Sequence, residues 1–416
     1  MRSSLGWGLV LVAFTLVLHA PWCGEPLGPR ETNGGVYFGV ACKNFEAFGF
    51  DAVRGVPHVM LRSERSLDAV PYLNHPPGLF WAMAALGTGE CAIRAPIVAA
   101  GILAVLAFLA LLRDRIGMRG AVVASIALVV SPALVQTSYE SAVLACALWL
   151  VHATTRVAAT HGRARVGWRI VQVVAAAAGP WFDWSFALWC VALVPFVAPP
   201  WRDGARRLAV PAIATVVSVA GILAWRAWAM GAPAVRDDIV PAGIETLVQT
   251  TILNRPTIGE FVRAAWHMTS WIAGPALVVV GLLGTLRLAR IAPRVAVAFA
   301  FAGVAHPLLF ADHALDHGFF WTYFVVFAAA GLGALTERER EREHSSRSSS
   351  SRCSQRSFTG SSSRTPIGRR STATSGLRSR RRRESMATRR HAGRWRPTSR
   401  VSSRTTPSRR GSFFPR

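Results

Sequence analysis

The chain has 416 residues, of which 51% are hydrophobic, and its mean hydropathy is +0.32. The apolar residues form blocks of roughly 16–24, long enough to cross a bilayer core, which excludes an ordinary soluble enzyme. The formal net charge is +25, but +18 of it belongs to residues 336–416. The remaining body is therefore not a nucleic-acid-binding protein, and we predict an all-α polytopic membrane protein.

The N-terminus carries Arg2 ahead of the apolar residues 5–18. A cleaved signal peptide shares this layout, but Pro21-Trp22-Cys23 is a poor small-residue cleavage site, so we predict an uncleaved first span. Arg2 then places the N-terminus in the cytoplasm and residues 21–92 in a first outer loop.

Two short helices are predicted within this outer loop. The first has one apolar face, because four apolar residues recur at 3–4–3 spacing: Phe38, Ala41, Phe45 and Phe48. The second covers residues 78–86, which follow His75-Pro76-Pro77 and are too short to span a membrane. We predict that both helices lie in the membrane interface.

Nine further spans follow, which makes ten with the first. They are predicted at residues 93–112, 120–136, 139–155, 168–180, 184–200, 208–229, 271–289, 295–311 and 318–335. The loops between them alternate between basic and neutral or acidic, as the positive-inside rule requires for this count. The resulting protein is multi-pass, in the cytoplasmic membrane, with a cytoplasmic tail.

The chain has six cysteines and no CxxC motif, so a structural metal site is not indicated. Cys23, Cys42 and Cys91 share the predicted outer face, which allows one disulfide. The alternative is that they are small buried hydrophobic residues.

Residues 336–416 differ in composition from the body, residues 1–335. They are rich in Arg and Ser and have few apolar residues to bury, so we predict disorder. Two interpretations stay open. One is a cytoplasmic tail attracted to anionic lipid or nucleic acid. The other is a frameshift product of a high-GC gene, which the chain's single Lys against 46 Arg also fits.

Polar motifs of the outer loop occur in a characteristic order: Glu31-Thr-Asn-Gly-Gly, Tyr37, Ala41-Cys-Lys-Asn44, Gly49, His75-Pro-Pro-Gly78 and Gly87-Thr-Gly-Glu90-Cys-Ala-Ile-Arg94. This order resembles the lipid-linked-sugar glycosyltransferases of the GT-C fold. The resemblance is to bacterial relatives of the protein O-mannosyltransferases and of the aminoarabinose transferase acting on lipid A. Weaker likeness continues through Ser131-Pro132, Tyr139-Glu140, Asp183-Trp184 and residues 313–317.

The resemblance implies an enzyme and a reaction. A sugar on a polyprenyl phosphate would be moved, with inversion, to a glycolipid, polysaccharide or protein acceptor on the outer face. A carboxylate must accept the acceptor's proton, and cationic or donor groups must hold the departing lipid phosphate. The expected partners are therefore the lipid-linked donor, the acceptor and membrane lipid, with no nucleic acid.

The family's early carboxylate and its residue before Pro-Pro have counterparts here. Glu31 matches the carboxylate by position and is the expected catalytic base, although the family usually carries Asp, and Gly35 replaces a common Ala. Its alternative role is a helix-N-terminal acid favoured by the dipole. His75 matches the residue near the donor phosphate, and its alternative role is to cap an interfacial helix.

Four more residues are candidates for donor-phosphate or substrate binding. Arg94 opens a span, and its alternatives are a pair with Glu90 or a snorkelling helix-end position. Asp183, between two Trp, binds sugar hydroxyls or a cation, or caps a helix. His313 and His317 resemble the family's late His pair, and they form i,i+4 pairs beside Asp312 and Asp316 that would permit a divalent cation. No resident metal or cofactor is assigned.

Two other functions stay open. A transporter or lipid-sugar flippase usually carries mid-span charges and internal repeats, which the sequence does not clearly show. A non-catalytic or truncated family member would explain the tail and the Glu-for-Asp exchange.

Overall fold

The structure is a computed structural model that describes residues 2–26, 33–59, 71–72, 75–134, 139–196, 201–233 and 256–336. These residues all belong to one unit of the chain, Met1–Arg352. The predicted tail lies outside them except for its first residue, so its disorder and origin stay predictions.

The described residues are mainly helical, with fourteen α-helices among them. These are α1 (Arg2–His19), α2 (Asn33–Phe48), α3 (Gly78–Ala84), α4 (Glu90–Ile116), α5 (Met118–Val129), α6 (Glu140–Ala159), α7 (Gly162–Phe182), α8 (Phe186–Ala192), α9 (Trp201–Met230), α10 (Ile258–Ala273), α11 (Pro275–Ile291), α12 (Pro293–Leu309), α13 (Ala311–Asp316) and α14 (Thr322–Leu335). The predicted all-α class is confirmed.

Each of the ten predicted spans overlaps a described helix, in order α1, α4, α5, α6, α7, α8, α9, α11, α12 and α14. Five described stretches are by themselves long and apolar enough to cross a membrane: Ser4–Trp22, Glu90–Ile116, Glu140–Ala159, Leu208–Met230 and Gly318–Leu335. The number is six if α10 and α11, which meet at a bend of 107°, count as one span. α5 and α12 are apolar but shorter.

The bundle is packed through small residues as well as large ones. The main cluster of buried side chains draws on α1, α4 to α8, α11, α12 and α14. α11 and α14 approach so closely that a Cβ on Gly284 or Gly331 would collide with the backbone of the opposite helix. Such close packing is typical of membrane helices, where the gain comes from van der Waals contact between backbones.

The apolar face predicted for the first outer-loop helix is confirmed. Phe38, Ala41 and Phe45 of α2 are buried, and Phe48 packs against the same cluster. Their neighbours are apolar side chains of α3 and α4, such as Phe80 and Ile97, so protein covers this face. The placement of α2 and α3 in the membrane interface stays a prediction.

Candidate functional site

His75 and Asp183, which are 108 residues apart, are joined by a side-chain hydrogen bond. The imidazole Nδ1 is in short contact with the carboxylate oxygen Oδ2. The Asp183 side chain is 10% exposed and the His75 side chain 29%, so the pair lies at the edge of the protein interior. Both residues were sequence candidates, and the structure brings them together.

Local sequence explains how the two chain segments meet. His75-Pro76-Pro77 leads into α3, and Pro restricts the backbone before the helix begins. The next residue, Gly78, lies against the last turn of α7: a Cβ there would be 2.5 Å from the carbonyl oxygen of Trp181. Only glycine permits this approach, which places His75 beside Asp183 just after α7 ends.

Two tyrosines stack on the imidazole ring of His75. The ring centroid of Tyr139 is 4.1 Å away with an interplanar angle of 12°, and that of Tyr72 is 5.7 Å away at 19°. Burial raises the pKa of Tyr72 above its ordinary value, so its phenol stays protonated at neutral pH. These contacts and the Asp183 carboxylate fix the orientation of the imidazole.

The carboxylate of Asp183 is held in its charged form. Burial by itself would raise its pKa, but the charge and hydrogen bond of His75 and the backbone N–H of Ser185 lower the pKa below its ordinary value. The Ser185 N–H donates to Oδ1 over 2.7 Å. Because Asp183 is charged and accepts from Nδ1, the other nitrogen, Nε2, is the one left for a ligand.

Arg226 completes this group, and sequence reasoning missed it. Its Nη2 donates to the backbone carbonyl of His75 over 2.7 Å, and its guanidinium lies over the ring of Trp184 at 5.5 Å. The residue is 1% exposed, and its buried Nη1 has no hydrogen-bond partner among the residues that the structure describes. A signal was available, because a charge inside the apolar stretch Leu208–Met230 is by default a functional candidate.

Two further buried polar residues are His306, which is close enough to the pair to interact with its charges, and Glu140, which follows Tyr139 in the sequence. His306, on α12, interacts electrostatically with Asp183 and His75, and its Nδ1 lies 3.1 Å from the carbonyl oxygen of Phe320. Glu140, at the start of α6, is 4% exposed. The sequence pattern gave no reason to single out His306, because it lies in a predicted span without a polar motif.

Arg94 is buried, and its described hydrogen bonds are with backbone. Its Nη1 donates to the carbonyls of Cys23, at 3.3 Å, and Glu25, at 2.5 Å, and its Nη2 donates to Pro26 at 3.4 Å. These bonds attach the segment after α1 to the start of α4. These described bonds give Arg94 a packing role, and its role in phosphate binding stays a prediction.

The remaining candidates are described in part or not at all. His317 precedes the 3-10 helix Gly318–Trp321, and its ring stacks on Phe319 with centroids 5.2 Å apart. His313 lies on α13, but its side chain is outside the described residues, as are those of Asp312 and Asp316. Glu31 also lies outside them, so its position relative to His75 stays a prediction.

Metal-ligating side chains and a cavity are the other candidate features among the residues that the structure describes. Within the described ranges, no group of three or more His, Cys, Asp and Glu side chains could hold a metal ion. A cavity of about 510 Å³ lies between α2 and α3, with a mainly apolar lining that includes Phe45, Phe50 and Trp81. His75 and Asp183 are not part of that lining.

The sequence matches no family model and no curated protein. The structure is similar to ArnT from Cupriavidus metallidurans, both in the apo state and bound to undecaprenyl phosphate, each with a TM-score of 0.56 and 18% identity. The matches cover 80% and 81% of this chain and 60% of ArnT. A second similar structure is the oligosaccharyltransferase AglB from Archaeoglobus fulgidus, solved with an inhibitory peptide and a dolichol-phosphate. The match has 14% identity and a TM-score of 0.48, and it covers 87% of this chain and 52% of AglB.

The likeness to ArnT shows the fold. The chain has the GT-C fold of polytopic membrane proteins, which confirms the fold expected from the motif order. It spans less than two thirds of the length of ArnT.

Proposed function

We propose that the protein is a membrane glycosyltransferase that moves a sugar from a polyprenyl phosphate to an acceptor on the outer face of the cytoplasmic membrane, with inversion. The observation that carries the proposal is the buried charged group formed by His75, Asp183 and Arg226. Burying Asp183 and Arg226 in an apolar bundle is costly, so a site that holds an anionic ligand is the natural explanation.

The fold supports the chemical class of the donor. ArnT, which shares it, has been solved with undecaprenyl phosphate bound. A lipid phosphate presents negative oxygens at the membrane surface, and a guanidinium and an imidazole N–H are suitable donors for them. In the proposed complex, Nε2 of His75 and Nη1 of Arg226 donate to the phosphate, while Asp183 orients His75.

The proposed reaction is a single displacement. The acceptor hydroxyl attacks the anomeric carbon, and the bond from that carbon to the phosphate oxygen breaks. Polyprenyl phosphate leaves with the electron pair, which the cationic groups stabilise, and the acceptor's proton goes to a carboxylate. We propose Glu31 for that carboxylate because it matches the family's early acid by position.

A sugar-transfer assay tests the proposal. Purified protein in lipid is given radiolabelled polyprenyl-phosphate sugars and total membrane extract, and wild type is compared with Glu31→Gln and Glu25→Gln. Glu25 is an exposed acid of the same loop and serves as the matched control. We expect wild type and Glu25→Gln to transfer label, and Glu31→Gln to bind donor without transfer.

Two results would contradict different parts of the proposal. Transfer by Glu31→Gln would remove that residue from the role of base. No transfer from any donor by folded wild type would favour a non-catalytic family member.

The proposed sidedness has its own test. A reporter fused near Arg115, at the end of α4, is expected in the cytoplasm, because the loop that follows is basic. A reporter signal from the outer face would invert the topology and remove the outer-face site.

A further inference from the structure

Two cysteine side chains from distant parts of the sequence lie close together. Cys23 follows the helical turn that ends α1, and Cys91 is the second residue of α4. The thiol of Cys91 lies near enough to that of Cys23 to raise the pKa of Cys23 above its ordinary value. Cys91 is exposed and Cys23 is partly exposed, so protein does not cover either thiol fully.

An independent contact holds the two backbones in the same place. Arg94 lies one helical turn after Cys91, and its Nη1 donates to the carbonyl oxygen of Cys23 over 3.3 Å. The same guanidinium binds the carbonyls of the next residues, Glu25 and Pro26. The segment after α1 is thus held against the first turn of α4 by a buried side chain.

We propose that Cys23 and Cys91 form an intramolecular disulfide that joins the end of α1 to the start of α4. The bond would close a loop of 68 positions that contains α2, α3 and His75-Pro76-Pro77. Closing a long loop lowers the conformational entropy of the unfolded chain, so the disulfide would stabilise the segment that presents His75.

The bond forms by thiol–disulfide exchange with a disulfide oxidant, either a protein disulfide or a small one such as oxidised glutathione. The thiolate of the exposed Cys91 attacks one sulfur of the oxidant and releases the first thiolate. The thiolate of Cys23 then attacks the sulfur of Cys91 in the mixed disulfide and releases the second. The two cysteines lose two protons and two electrons, and the oxidant becomes two thiols.

Cys42 provides a matched comparison in the same loop. It is 1% exposed on α2, and burial raises the pKa of its thiol to about 12, so it has little thiolate at neutral pH. No sulfur partner for it is present in the described ranges. It should therefore stay reduced under conditions in which the other two cysteines are oxidised.

The proposal rests on the outer-face placement in the proposed function, because disulfides persist on the oxidising side of the membrane. It does not rest on transferase activity. A labelling experiment that needs no substrate therefore tests it separately.

The experiment uses full-length protein in native membranes. Free thiols are blocked with N-ethylmaleimide under denaturing conditions, disulfides are then reduced, and the released thiols are labelled with iodoacetamide. Mass spectrometry assigns the label at each cysteine. We expect the iodoacetamide label on Cys23 and Cys91 of wild type and of Cys42→Ser, and the maleimide label on Cys42 of wild type. In Cys23→Ser, Cys91 should carry the maleimide instead.

Maleimide on both Cys23 and Cys91 of wild type would overturn the disulfide. A membrane-impermeant maleimide applied to intact cells of Cys23→Ser then separates the causes. Labelling of Cys91 would leave the outer placement standing. Labelling only after permeabilisation would put this loop on the inner face and contradict the sidedness of the proposed function as well.

Discussion

Two groups of charged side chains in this molecule use the same residue types in different surroundings. At the end of α4, Asp114 accepts from Arg113 at 2.9 Å and from Arg156 at 3.4 Å. These side chains are 25–36% exposed, so water screens their attraction. Each such pair contributes about 0–1 kcal/mol to stability.

The group around His75 lies in the protein interior, and the same charges there have larger consequences. Asp183 is 7% exposed and Arg226 is 1% exposed, and both depend on specific partners for compensation. Removing one partner leaves a buried charge without its counterpart. The comparison shows that charged side chains at the rim of an apolar bundle cost little free energy. Buried charged side chains persist only with specific contacts, and such contacts point to a function.

The largest expected effect is that of Asp183→Asn. It removes the charge opposite His75, and we expect the free energy of unfolding to fall by about 3 kcal/mol, as for other buried ion pairs. Denaturant titration of the protein in micelles measures this. Asp114→Asn is the matched control at the rim, and we expect a loss of about 0.5 kcal/mol. Equal losses from the two variants would contradict the distinction between the two groups.

The same carboxylate gives a pH dependence with a defined sign. The pKa of Asp183 is lower in the folded protein than the value of about 3.9 for an unfolded chain. Its contribution to stability is therefore complete above about pH 4 and is lost as pH falls through the folded pKa. Stability measured from pH 6 downward should fall more steeply in wild type than in Asp183→Asn, and parallel curves would refute this.

Arg226→Gln should have the next largest effect, on the donor. It removes the charge-assisted bond to the His75 carbonyl and the buried cation above Trp184. We expect a loss of about 2 kcal/mol, equal to about 30-fold in kcat/KM for the lipid-linked donor. Arg113→Gln is the rim control and should change kcat/KM less than about 2-fold. If the loss in kcat/KM equals the fraction of Arg226→Gln protein that is unfolded, Arg226 has a purely structural role.

Gly78→Ala should have the smallest effect of the three variants, and it tests how the buried group is assembled. The added Cβ would press on the carbonyl of Trp181 and push His75 away from Asp183. Overpacking of this kind costs about 1–3 kcal/mol, and we expect about 1.5 kcal/mol with a matching fall in the thermal midpoint. Gly259→Ala is the control, because its Cβ meets nothing within 4 Å. If the stability of Gly78→Ala equals that of wild type, the turn before α3 can shift without cost.

Much of the fold could be predicted from local pattern, and less of the site. The 3–4–3 spacing of Phe38, Ala41, Phe45 and Phe48 correctly predicted the apolar face of α2. His75 and Asp183 were both candidates, yet nothing in their local sequence said that they pair. Arg94 is a candidate phosphate ligand because it opens a span, and that stays a prediction, but nothing in the local sequence indicated its described bonds to the carbonyls of Cys23 and Glu25.

The sequence by itself determined the helical class and the order of the helices. Apolar blocks of this length must satisfy their backbone hydrogen bonds internally, and that requirement is local. Only the tertiary structure decided that the turn before α3 meets the end of α7, that Arg226 reaches His75, and that Cys23 lies near Cys91. These contacts join residues 68 to 151 positions apart, so they depend on how helices pack, which no local pattern encodes.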